Sequence, residues 1–70
     1  MPRSPLSLAF GANVRRIRTA QSIKLGVLAR AAGISPANLC NIESGANFPS
    51  LLVYARLCQK LGLPKPVFFP

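Results

Sequence analysis

The sequence contains no histidine, and Glu43 is its single acidic side chain. These absences exclude a histidine-dependent triad, a hydrolytic carboxylate pair and a metal site built from such ligands. The cysteines, Cys40 and Cys58, are too few for a disulfide-stapled scaffold and cannot complete a zinc site alone. We therefore expect no enzymatic activity, no cofactor and no metal, and nothing in the sequence indicates a small-molecule ligand.

Long apolar runs are also missing from the sequence. No stretch approaches the roughly 18 apolar residues of a membrane span. A short apolar patch follows Arg3, but Pro5 and Ser7 interrupt it, so it does not fit a secretion signal. We expect a cytoplasmic protein with no membrane partner.

Basic residues dominate what is present. Nine lysines and arginines oppose one acid, which gives a net charge of +8 over 70 residues, and 50% of the residues are hydrophobic. A chain of this length forms one small domain, whose core contributes about 3–5 kcal/mol of stability. A small, strongly basic domain without catalytic groups is typical of proteins that bind a polyanion.

Apolar residues recur at helical spacing in two segments. Residues 6–20 form the first predicted helix, capped by Ser7, and one of its faces carries Leu6, Phe10, Val14 and Ile17. Residues 51–61 form the last predicted helix, and one of its faces carries Leu51, Tyr54, Leu57, Cys58 and Leu61. We therefore expect Cys58 in the core.

Two shorter helices are predicted between these segments. Residues 25–32 form a helix that ends at Gly33, because glycine adopts the left-handed conformation at little steric cost. Ser35 caps the next helix, and Pro36 takes its first position, where the missing N–H costs nothing. This third helix is expected to end before Gly45.

The predicted organisation is an N-terminal arm (1–5), a helical domain (6–63) and a proline-rich apolar tail (64–70). No strand pattern competes with the helices. The fold class is therefore all-α, with four helices and at most one further turn in the tail.

The junction between the second and third helices resembles the helix-turn-helix of the Cro and phage-repressor type, the XRE family. The motif spans 25–44 and the resemblance covers about 10–63, through Leu28-Ala29, Ala32-Gly33-Ile34-Ser35, Leu39, Ile42-Glu43, Gly45, Pro49-Ser50-Leu51 and Leu61-Gly62. The crossing of the two helices would be fixed by a motif core of Leu28, Ala29, Gly33, Ile34, Leu39 and Ile42. The resemblance implies a compact lambda-repressor-like domain that inserts its third helix, at about 36–44, into the major groove of double-stranded DNA.

The same resemblance implies the contact residues. It assigns base contacts to Pro36, Ala37, Asn38 and Asn41. For the phosphates, we expect contacts from Arg15, Arg18, Lys24, the backbone N–H of Leu25, and Asn47. Asn41 is the best directional reader, since a carboxamide can bond N6 and N7 of adenine together. Leu25 stands where many members of the family carry a phosphate-binding glutamine.

Further expectations concern the remaining charged and sulfur-containing side chains. In the family a glutamate at the position of Glu43 pairs with an arginine at the position of Arg18. Cys40 is expected on the outer face of the third helix, without an acid or histidine to tune its thiol. The basic residues interpreted as solvated charges are Arg30, Arg56, Lys60 and Lys65.

These expectations favour a transcriptional regulator, acting as a repressor, that binds DNA as a homodimer. Three alternatives remain open at this point. An antitoxin or a restriction–modification controller would use the same DNA-binding mode. A protein-interaction module would keep the fold and have lost base reading, which the scarcity of strong base readers favours and the charge of +8 opposes.

Overall fold

The computed structural model describes residues 5–63, and these residues contain four α-helices. They are α1 (Pro5–Ala20), α2 (Leu25–Ala32), α3 (Pro36–Glu43) and α4 (Leu51–Leu61). No strand occurs within the described residues, so the all-α prediction is confirmed. The bounds of α2, α3 and α4 agree with the predicted ones. Most of the predicted arm and the whole tail, with its further turn, lie outside the described residues.

The start of α1 differs from the prediction. The helix begins at Pro5, where a fixed φ and a missing N–H suit a first helical position. Ser7 therefore lies inside the helix, and its predicted role as the cap is wrong. Leu6 is 66% exposed, so its predicted place on the core face is also wrong. The buried residues of α1 begin only at Gly11, and Leu6 lies more than one turn before them.

The turn between α2 and α3 follows the predicted chemistry. Gly33 adopts the left-handed conformation with φ 75°. The N–H of Gly33 donates to the Arg30 carbonyl at 3.1 Å, and that of Ile34 donates to the Ala29 carbonyl at 3.0 Å. The Ser35 hydroxyl accepts from the N–H of Asn38 at 3.1 Å. A three-residue turn with both helix ends capped fixes α3 relative to α2.

The core lies where α2 and α3 meet α1 and α4. Its buried members are Val14, Leu28, Ala29, Ala32, Leu39, Ile42, Leu57, Cys58 and Leu61. Most of the predicted motif core is thus buried, and Ile34 packs against it half-buried. Cys58 lies in the core as predicted, and this burial raises the pKa of its thiol.

Aromatic rings occupy the end of the molecule where α4 begins. Phe10 stacks on Tyr54 with 4.9 Å between ring centroids, and Phe48 lies 5.3 Å from Phe10. Leu51, predicted to face the core, is 51% exposed. It is the first residue of α4, and the buried residues of α4 lie in its second half. The prediction for Leu51 is therefore wrong.

Helices α1 and α3 approach closely at Gly11. A Cβ atom at this position would lie 2.7 Å from the Glu43 carbonyl oxygen and closer still to that of Ile42. Any larger residue would therefore force the two backbones apart. Glycine in a helix interior is unfavourable by itself, and here it allows α1 to lie directly on the C-terminal end of α3.

Candidate nucleic-acid interface

One side of α3 faces outward over the full length of the helix. Successive helical residues rotate by about 100°, and the buried Leu39 and Ile42 mark the inner side. The opposite surface, with its edges, is called the outer side of α3 and consists of Pro36, Ala37, Asn38, Cys40, Asn41 and the capping residue Ser44. All of these residues are exposed. The four predicted base-contacting residues therefore share one accessible surface.

Two carboxamides on this surface have no partner in the described part of the chain. Asn38 uses its backbone N–H to bond the Ser35 hydroxyl, and Asn41 uses its backbone carbonyl. That carbonyl accepts from the Ser44 hydroxyl at 3.1 Å and from the Ala46 N–H at 2.9 Å. Since only main-chain groups are engaged, both side-chain amides keep their donors and acceptors for another molecule.

Cationic side chains lie beside both ends of the outer side. At the N-terminal end, Lys24 and Arg30 line a shallow depression together with Pro36. At the C-terminal end, Arg15 lines a second depression together with Cys40. Both depressions lie on the flank of α3 that faces α1 and α2. This flank therefore carries the positive potential that an anionic backbone would meet.

The opposite flank of α3 is uncharged. A depression there is bounded by Asn38 and by the loop that leads to α4, including Asn47 and Phe48. None of its lining side chains is ionisable. Phe48 is 44% exposed while its ring contacts Phe10. The surface around α3 is thus positive on the flank toward α1 and α2. The opposite flank, called the loop flank, carries polar and apolar groups.

Arg18 and Glu43 form an ion pair that links the end of α1 to the end of α3. Arg18 Nε donates to Glu43 Oε2 at 2.7 Å, and Nη2 donates to Oε1 at 3.2 Å. Arg18 Nη1 also donates to the Ile23 carbonyl at 2.9 Å. The side chains are only 14% and 7% exposed. Glu43 lies at the C-terminal end of α3, where the helix dipole disfavours a negative charge, and the guanidinium offsets this effect.

The first turn of α2 presents free backbone N–H groups. Lys24 occupies the N-cap position, and its side chain makes no capping bond. Within the described residues, the N–H groups of Leu25 and Gly26 have no acceptor. The Leu25 side chain packs against the core. What Leu25 offers to a ligand is therefore its N–H alone, since its side chain is directed inward.

Sequence reasoning placed Arg30 among the solvated charges, and the structure places it beside Lys24 and Pro36. The spacing of the sequence contained a signal for this position. Lys24, the N-cap of α2, is followed by Val27 and Arg30 at i+3 and i+6, which places the three along one face of the helix. Ser44 was also missed as a member of the outer side. It caps α3 one turn after Cys40 and therefore lies next to it.

Two further observations apply to the described residues. No helix among them is both long enough and apolar enough to cross a membrane. No three side chains of histidine, cysteine, aspartate or glutamate come together there in a way that could hold a metal ion.

The described part of the chain has four helices, and a tight turn that begins at Gly33 leads into the third helix, whose outer side is exposed. This arrangement defines a helix-turn-helix domain. The helix-turn-helix domain family matches residues 9–67, and the chain belongs to this family. The chain is similar to two crystal structures of the clp gene regulator ClgR from Corynebacterium glutamicum. Each shares 34% sequence identity over 89% of this chain, with TM-scores of 0.81 and 0.80.

The length of these relatives differs from that of this chain. The chain covers 66% of one ClgR chain, just under two thirds, and 80% of the other. No curated protein sequence is significantly similar to the chain. The resemblance to a helix-turn-helix family, stated on sequence grounds, is confirmed by the family match.

Proposed function

We propose that the chain binds double-stranded DNA in a sequence-specific manner as a transcriptional regulator, with α3 in the major groove. One observation carries the proposal: the outer side of α3 is exposed, uncharged and held by a capped turn, with cations beside both of its ends. Such a surface can enter a groove while its neighbours contact the phosphates. The relatives whose name is clp gene regulator support the regulatory role.

In this proposal the outer side of α3 supplies the base contacts. Asn41 lies near its centre with an unpartnered carboxamide, which suits a bidentate contact to adenine. Ala37 precedes Asn41 by one turn and offers a methyl group. Pro36 and Asn38 lie at the edges, where Pro36 contributes shape and Asn38 contributes a second amide.

The phosphate contacts come from the flanking elements. Arg15 and Lys24 are exposed, and each lies beside one end of α3. The free N–H of Leu25 points out of the first turn of α2, where the helix dipole favours an anion. Arg18 uses three of its five N–H groups within the protein, which leaves two donors for a phosphate. On the uncharged flank, Asn47 takes the corresponding place.

The regulator acts as a repressor and binds as a homodimer. One eight-residue helix reads few base pairs, so two copies on half-sites about 34 Å apart are needed for a specific site. The dimer surface lies at the N-terminal end of α4, because Leu51 and Leu52 there are 51% and 53% exposed. Occupying an operator in this way would exclude polymerase from the promoter.

Selection of duplexes from a random pool tests the proposal. The expected result is enrichment of a roughly palindromic site whose halves are one helical turn apart. Recovery of no motif would contradict sequence-specific binding, and recovery of a single unpaired half-site would contradict the dimer.

Matched variants then test the division of roles. Asn41→Ala should relax base preference at one position of each half-site. Arg15→Ala should weaken all sequences alike and lower the salt slope by about one. Lys60→Ala removes the same charge from an exposed position on α4, away from α3, and serves as the control. If Asn41→Ala and Arg15→Ala act identically, the assignment of α3 as the reading element is wrong.

A further inference from the structure

The outer side of α3 lacks the chemistry that proteins use most often to recognise guanine. The commonest specific contact in the major groove is an arginine or lysine bonded to O6 and N7 of guanine. Within α3 the only charged residue is Glu43. Its carboxylate is bonded to Arg18 on the inner side, at 2.7 Å.

The neighbouring cations lie beside the ends of this surface and not at its centre. Arg18 is tied to Glu43 and to the Ile23 carbonyl. Lys24 and Arg30 lie beside the N-terminal end of α3, and Arg15 lies beside its C-terminal end. Both groups border the flank toward α1 and α2, where the DNA backbone would pass. None of these cations is a residue of α3, and none takes the place of an arginine or lysine on α3 itself.

What the outer side does offer matches adenine and thymine. The Asn41 carboxamide carries one acceptor and two donors without a partner in the described residues, and adenine presents a donor at N6 and an acceptor at N7. Ala37 and Cys40 flank it with small apolar groups. The C5 methyl of thymine is the one apolar group on a base edge in the major groove.

We infer that the base pairs read by α3 are A·T pairs, with adenine bonded by Asn41 and the thymine methyl in contact with Ala37 and Cys40. This inference rests on the proposed function and names its substrate class: operators whose half-sites carry A·T pairs where α3 enters the groove. Guanine contributes no direct contact to α3. Specificity at the remaining positions comes from the shape and deformability of the duplex.

The first step of the test uses the enriched duplex itself. Asn41→Ala should relax preference at a position occupied by adenine and should weaken binding to the selected site about 5- to 140-fold. Asn38→Ala removes the same group from the edge of the surface and should have a smaller effect. Relaxation of a guanine position by Asn41→Ala would overturn the inference while leaving the proposed function intact.

The second step changes single atoms of the DNA. Replacing adenine by 7-deazaadenine at the position relaxed by Asn41→Ala removes N7, and the loss of affinity should be absent in the Asn41→Ala variant. Replacing thymine by uracil removes one methyl group and should weaken binding about fourfold. Both substitutions act in the major groove, so they separate direct contact from an A·T preference created by duplex shape.

The outcomes are distinguishable. Enriched A·T pairs that tolerate both analogues without loss of affinity would overturn direct reading, and the preference would then belong to duplex shape alone. A pool without any motif would overturn the proposed function, and the inference would fall with it. The inference would be supported if 7-deazaadenine and Asn41→Ala each abolish the adenine-dependent part of binding. Combining the two changes should then cause no additional loss.

Discussion

The two sides of α3 have opposite properties within eight residues. On the inner side, Leu39 and Ile42 are 0% and 2% exposed, and the Glu43 carboxylate is bonded to Arg18. On the outer side every residue is exposed, and the Asn41 carboxamide has no partner in the described residues. The inner side therefore fixes where the helix lies, and the outer side is free to contact another molecule.

This difference shows that stability and recognition occupy separate residues of one helix. A change on the inner side should lower stability, and it should affect binding only because the helix is displaced or the domain unfolds. A change on the outer side should alter binding while the melting temperature is kept.

Leu39→Ala should leave the domain largely unfolded. Leu39 is fully buried, and truncating a buried leucine to alanine costs about 2–5 kcal/mol. A core of this size provides only about 3–5 kcal/mol in total. Far-UV circular dichroism at 25 °C should therefore show a large loss of helix. A variant with native helix content and an unchanged midpoint of urea unfolding would contradict the assignment of Leu39 to the inner side of α3.

Gly11→Ala should destabilise the domain by about 1–3 kcal/mol, because the new methyl group overlaps backbone atoms of α3. Gly26→Ala is the matched control, since its Cβ would meet no atom within 4 Å. This control should raise stability by about 0.5–1 kcal/mol. Urea unfolding measures both. Equal effects of the two changes would contradict the close approach of α1 to α3.

Arg18→Ala should lower the free energy of unfolding by about 2 kcal/mol, because it leaves the Glu43 carboxylate part-buried without a partner. In a domain of this length the melting temperature should fall by roughly 8–16 °C. Arg16→Ala removes a charge from the same helix, where the side chain is exposed and, among residues 5–63, bonds only Asn13. Its melting temperature should change little. Equal melting temperatures for wild type and Arg18→Ala would show that the pair adds no stability.

Asn41→Ala should change stability least, within about 0.5 kcal/mol, because the side chain is exposed and unpartnered among the described residues. Thermal unfolding of this variant should superimpose on that of the wild type. A fall in melting temperature as large as that of Arg18→Ala would mean that Asn41 supports the fold, and the contrast between the two sides would fail.

Local sequence signals were sufficient for most of the fold. Gly33 and Ser35 determine the turn through their own backbone preferences, and neither needs a distant partner to be recognised. The bounds of α2, α3 and α4 followed from such residues. The pairing of Arg18 with Glu43 came from family resemblance, since nothing in their spacing of 25 residues indicates contact.

The cap predicted at Ser7 was wrong because α1 begins two residues earlier. The errors in core assignment concern positions whose environment depends on distant segments. Leu6 and Leu51 fit the helical periodicity of their own segments, but no described element covers them. Gly11 lies inside α1 at the close approach to α3, and its own segment carries no signal of this contact. Periodicity predicts which face of a helix is apolar, and it does not predict how far along the helix the neighbouring elements reach.

The sequence was sufficient to predict which residues of α3 are exposed. It was not sufficient to predict where the charged side chains of other elements lie relative to α3. The outer side of α3 follows from the positions of Leu39 and Ile42 in the sequence. The place of Arg30 beside Pro36 depends on how α2 crosses α3. The absence of charge on the loop flank likewise depends on where the chain leads after α3.

Alkylation of Cys40 tests most directly that the outer side of α3 enters the groove. Cys40 is exposed on this side, whereas Cys58 is buried in the core and reacts slowly. A thiol introduced by Gln59→Cys in a Cys40→Ser background provides the control, since Gln59 is exposed near the end of α4, away from α3. Saturating selected operator should strongly slow alkylation of Cys40 and leave the control thiol unaffected. Equal rates for Cys40 with and without bound operator would contradict the account.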